Sequence, residues 1–121
     1  MNLEICVAEP FAAMKARSLA HARQIDAGEI VAPLCEVGFE TMAQFGAVFT
    51  PKRWELVEFL KASGPLTIYA LAKRLNRHYR NVHKDVTTLM AWLAIDKDEA
   101  GRVFVPWDEI DIRWPLLKQA A

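Results

Sequence analysis

Five cations set against a single acid are the first chemistry this sequence offers. Between Leu66 and Ile95 they are Lys73, Arg74, Arg77, Arg80 and Lys84, opposed only by Asp85. The segment is therefore net +4, and the remainder of a formally neutral chain carries −4. A localised cationic patch on a neutral body is the electrostatic footprint expected of a phosphate-binding face. At about 100° per residue, Arg77, Arg80, Lys84 and Thr87 share one helical stripe, roughly opposite an apolar line of Val82, Val86, Leu89 and Leu93. Asn81 and His83 flank that stripe. A guanidinium forks onto guanine O6/N7 and a carboxamide onto adenine N6/N7. Arg77, Arg80, Asn81, Lys84 and Thr87 are thus expected to face base edges, with Arg80 and Asn81 foremost. Lys73, Arg74, His83 and the more distant Arg102 are expected at phosphates, a role Lys84 can share. A merely solvated basic face is the competing reading. The coincidence of charge, small residues and hydrogen-bonding side chains favours DNA.

Catalytic chemistry finds little footing. His78 and His83 are five residues apart, which separates them by about 140° around a helix, too far for one metal. No GxGxxG, P-loop, HExxH or GxSxG occurs, and no nucleophile sits beside a base. The expectation is a binding protein with no catalytic residues, metal or cofactor.

The elements that must hold the basic stripe can be read on either side of it. Ile68, Leu71, Ala72 and Leu75 form one face of a short helix, with Thr67 as its N-cap. Asn76-Arg77 makes the turn into a second helix. Asp85 lies near that helix's core edge and is expected to pair with an arginine, Arg53 among them. Tyr79, also near the core edge, is expected to pack. Upstream, Thr50-Pro51 starts a helix to Ala62, and Ser63-Gly64-Pro65 stops it. Downstream, Ile95 opens a strand, Lys97–Gly101 turns, and Arg102–Val105 alternates as a second strand. Arg102 near the tip can reach a phosphate, although Asp98 and Glu99 beside it would repel one. Trp107–Trp114 adds a further strand with Ile110 and Ile112 inward, ended by Pro115.

The N-terminal third is different in kind. Asn2–Val7 alternates as a strand. Pro10 opens a helix over about Phe11–Ala27, whose polar side (Lys15, Arg17, His21, Arg23, Gln24) reads as a solvated face. A short strand at Cys35–Phe39 and a helix from about Glu40 to Val48 follow. At 121 residues and 53% hydrophobic content the chain can bury a core and is no disordered tail. No apolar run approaches the ~20 residues of a membrane span, and the start lacks the pattern of a secretory signal. Cys6 and Cys35 have no paired spacing and read most simply as reduced thiols, with a disulfide left open. A cytoplasmic setting is expected. The apolar helices of this third are candidates for a dimer interface, the alternative being that they complete the monomer's own core.

The run from Phe49 to Ile110 resembles bacterial and archaeal winged helix-turn-helix regulators of the MarR-like, predicted-transcriptional-regulator type. The segments that carry the likeness are FTPKR (Phe49–Arg53), the reader Gly64–Leu89 containing RHYRNVHKDVTTL, and GRVFVPWDEI (Gly101–Ile110). Phe49, Tyr69, Ala94 and Trp107 depart from the usual Leu, charged residue, Gly and Tyr. The resemblance implies an α+β, mostly α fold. Residues 1–48 would form an N-terminal α/β extension, 49–114 the winged helix-turn-helix, and 115–121 a tail. It also implies a sequence-specific regulator of double-stranded DNA, a repressor, and the small footprint of one copy implies a dimer on half-sites about one helical turn apart. Some members resemble DNA-binding antitoxins with a cognate toxin as partner. A winged helix used only for protein contacts is a further alternative.

Overall fold

The computed structural model describes residues 1–8 and 37–116, and the architecture is α+β. In chain order the elements are β1 (Asn2–Val7), β2 (Val37–Phe39), α1 (Met42–Val48), α2 (Pro51–Ser63), α3 (Ile68–Leu75), α4 (Tyr79–Ala91), β3 (Asp96–Lys97), β4 (Val103–Phe104) and β5 (Glu109–Arg113). The helix expected over Phe11–Ala27, Cys35 and the tail beyond Leu116 lie outside the described residues. The chain divides into two compact units. One comprises Gly46–Asp108 with Met1, the other Asn2–Phe45 with Glu109–Ala121.

In the first unit the helix starts follow local chemistry. Thr50 Oγ1 accepts from the Arg53 N–H at 3.3 Å and Thr67 Oγ1 from the Ala70 N–H at 3.1 Å, each satisfying an amide that the helix itself leaves open. Pro51 occupies the first turn of α2, where its missing N–H costs nothing. Gly64 closes α2 at φ 85, and its N–H donates to Leu60 O at 3.0 Å. Asn76 ends α3 in the left-handed region, φ 55 and ψ 47. Asparagine tolerates that region better than other residues bearing a Cβ. The helices bury Leu56, Leu60, Leu71, Val82, Val86 and Leu89, each at most 1% exposed.

The β3–β4 hairpin is antiparallel, with Lys97 opposite Val103. Leu66 joins it by a reciprocal pair of backbone bonds to Val103, at 3.1 and 2.7 Å. Val103 and Val105 turn inward. Leu93 corrects the apolar line read from sequence. α4 stops at Ala91, and Leu93 has φ 68 and is 46% exposed. The chain reverses there, with the Ala94 N–H donating to Leu89 O at 2.9 Å. Ala94 and Ile95 are buried instead.

In the second unit β1 is the central strand of a parallel sheet in the order β2-β1-β5. Leu3, Ile5 and Val7 are fully buried, the face that their alternation calls for. Phe39 meets Phe45 edge to face, with centroids 5.5 Å apart. β5 pairs with β1, Leu3 opposite Ile110 and Ile5 opposite Ile112. Ile112 was expected inward and is 45% exposed, although it lies opposite the fully buried Ile5. Cys6 is buried in β1 and disulfide-bonded, not the reduced thiol read from spacing. Separation along the chain sets no distance in space. No helix among the described residues is long and apolar enough to cross a membrane.

Candidate nucleic-acid interface

Helix α4 owes its pose to a buried carboxylate. Asp85 sits on its inner side, next to Val82, Val86 and Leu89. Asp85 Oδ1 accepts from Arg53 Nε at 3.1 Å, and Oδ2 from Arg77 Nη2 at 2.7 Å. The side chains of Asp85, Arg53 and Arg77 are 13%, 11% and 22% exposed. Arg53 also donates through Nη1 to Val48 O at 2.7 Å and Ala47 O at 3.3 Å. One carboxylate thus ties together α2, the α3–α4 turn and α4, and Arg53 extends the tie to the end of α1. Because a charge taken out of water must be paired and hydrogen-bonded, these three side chains have little freedom to move apart.

This arrangement changes the part played by Arg77. Its guanidinium is held by Asp85 rather than standing clear with Arg80 and Lys84. The remaining stripe residues, Arg80, Lys84 and Thr87, are exposed, as are Asn81 and His83 on its flanks. Thr87 donates its hydroxyl to His83 O at 2.8 Å, which leaves its methyl for apolar contact. On α3, Lys73 and Arg74 are exposed, and Lys73 Nζ lies 6.0 Å from the Tyr69 ring centroid, a cation–π distance. Lys73, Asn76, Arg77 and His78 line a shallow cleft of about 300 Å³ with Ala72 at its base. At the start of α4, His78 offers no side-chain cap, so the first-turn amides stay open to an outside acceptor. The helix dipole favours an anion at that end.

Two features were missed in the sequence. Tyr79 does not pack; it is 50% exposed, its ring 5.7 Å from that of His83. Tyr69 is 65% exposed. Both flank the cations, and a position near the core edge of the helix was too coarse a guide to place Tyr79.

Arg102, expected at a phosphate, is drawn back into its own hairpin. Asp98 Oδ1 accepts from the Arg102 and Ala100 amides at 2.8 and 3.0 Å, and Oδ2 from Arg102 Nε at 3.0 Å. The Arg102 backbone N–H is the chief influence holding the Asp98 carboxyl below its ordinary pKa. Desolvation opposes it as the next largest effect, and the Arg102 charge, the Ala100 amide and the Arg102 side chain add to the lowering. With Asp96, Asp98 and Glu99 close together, the hairpin presents no cationic surplus. Among the described residues no group of three or more His, Cys, Asp or Glu is placed to hold a metal ion.

A family model described as HVO_A0114 matches residues 48–112, more than half of the chain. The match takes in α2, α3, α4 and the hairpin. No curated protein and no solved structure matches the chain.

Proposed function

The chain belongs to the HVO_A0114 family, and we propose that it is a winged helix-turn-helix protein of MarR-like type that binds double-stranded DNA as a dimeric, sequence-specific repressor. The observation that carries this reading is the exposed stripe Arg80, Lys84 and Thr87 on a helix whose inner side is locked by Asp85. A rigidly posed helix with long cations and hydrogen-bonding side chains on its open face suits a major groove. Arg80 and Asn81 are the base readers, Lys84 and Thr87 support them, and Lys73, Arg74 and His83 hold phosphates. Arg77 orients the helix. The order of three helices and a hairpin, with Leu66 bonded to Val103, supports the winged-helix reading. The role is one of binding, without catalysis or cofactor.

A protein partner is the second reading, including a toxin held by a DNA-binding antitoxin. The observation in its favour is the acidic hairpin, whose single tip arginine is engaged by Asp98. Titration of the protein onto its own upstream DNA and onto random DNA, at several salt concentrations, separates the two. Specific binding lost in an Arg80→Ala/Lys84→Ala variant supports the repressor. Equal, weak binding to both DNAs refutes it.

A further inference from the structure

The edge of the sheet carries a second surface. Strand β5 is outermost in the order β2-β1-β5, so among the described residues its outer backbone groups have no strand beside them. Such an edge is a template for another strand. Its register with β1 puts Ile110 and Ile112 on the face of the fully buried Leu3 and Ile5. Trp114 follows in the same alternation. Ile112 and Trp114 are nevertheless 45% and 46% exposed. The apolar face of the sheet runs off its own edge. The intervening residues Asp111 and Arg113 carry opposite charges, and Arg113 reaches Glu4 only at 4.0 Å.

The segment Ile110-Asp111-Ile112-Arg113-Trp114 is complementary to itself when read antiparallel. With a two-fold axis through Ile112, that residue meets its own copy. Asp111 then faces Arg113 of the second copy, twice, and Ile110 faces Trp114, twice. An axis one residue earlier would oppose two Asp111 carboxylates, which is unfavourable. We propose that β5 is a homodimerisation edge, pairing antiparallel with β5 of a second copy about an axis through Ile112. The occupant is a second copy because both charge and apolar character match only under this symmetry, and a two-fold interface must be complementary to itself. Strand-edge pairing supplies the backbone hydrogen bonds, and the alternating side chains set the register.

The test needs no DNA, so it succeeds or fails apart from the DNA-binding reading. Sedimentation equilibrium of the full chain gives the dimer dissociation constant. Asp111→Arg sets arginine against Arg113 at both pairs, and Arg113→Asp sets aspartate against Asp111. Each variant should weaken the dimer about tenfold or more. The double swap Asp111→Arg/Arg113→Asp restores opposite charges and should return the constant to within about threefold of wild type. Thermal unfolding of each variant checks that the fold is kept. Should a charge variant fail to fold, cysteine crosslinking decides. Ile112→Cys should give a disulfide-linked dimer on non-reducing gels, and Glu109→Cys, which faces Pro115 of the second copy, should not. A wild-type monomer at every concentration, a dimer indifferent to both reversals, a loss that the swap fails to rescue, or crosslinking without preference for position 112 would each overturn the proposal.

Discussion

Asp85 bears on stability and, under the proposed function, on how α4 is presented to DNA. It accepts one hydrogen bond from each of two arginines, so its removal leaves two partly buried cations without their shared anion. Asp85→Ala is expected to cost about 3 kcal/mol, the usual scale for breaking a mostly buried pair. Arg77→Ala should cost less, because Arg53 still neutralises the carboxylate. Urea unfolding of the two variants checks the order, and an equal loss would mean that Arg77 carries as much of the cluster as Asp85. Asn76 gives a second prediction at this scale. Its φ of 55 suits asparagine or glycine, so Asn76→Ala should destabilise by about 1 kcal/mol and Asn76→Gly by less than about half that. Much of this was legible in the residues. The helical period alone separates Arg80 and Lys84 from Val82 and Val86, and a carboxylate at a core edge calls for a cation. That the same carboxylate would also take Arg77 depends on how the turn closes, which no local spacing encodes.

Among the elements, the helices announced themselves through their ends. Thr50-Pro51, Thr67 and Gly64 act within a few residues, so sequence reached the boundaries of α2 and α3. The end of α4 was less legible, because the reversal at Leu93 is made by non-glycine backbone at positive φ. β5 was readable as a strand, but its neighbour was not. Pairing with β1 joins residues more than a hundred positions apart, a choice made by tertiary contact. The hairpin yields a prediction of its own. Asp98 bonds three groups of Ala100 and Arg102, so Asp98→Ala should speed amide exchange at both residues while leaving α4 protected. The sign of the acid dependence follows from the lowered pKa of Asp98. A carboxylate favoured in the folded state stabilises it at every pH above the ordinary Asp value of about 3.9. That contribution is lost as pH falls through the lower folded value. Hairpin protection should therefore be flat through neutral pH and decline only in strong acid. A decline near pH 6 would point to a different group.

At the scale of the whole molecule, the segregated charge makes salt the most informative variable. The cations exposed on α3 and α4 are Lys73, Arg74, Arg80 and Lys84, and none of them appears in a salt bridge among the described residues. Arg77 and Arg53 are spent on Asp85, and Arg102 on Asp98. Each phosphate neutralised on duplex DNA contributes about 0.9 to the slope of log K against log salt. A dimer holding phosphates with Lys73, Arg74 and Lys84 of each copy should therefore show a slope of roughly −5.4 on its operator. Arg77→Lys should leave that slope unchanged while lowering discrimination between operator and random DNA, as befits a side chain that sets the angle of α4. Arg80→Ala should lower discrimination with little change in slope. The β5 edge enters the same measurement. Arg113→Asp, at concentrations where its weakened pairing leaves it monomeric, should bind with about half the slope, near −2.7. A full slope in that variant would mean that both copies still engage the DNA together, held by the duplex or by another surface rather than by β5.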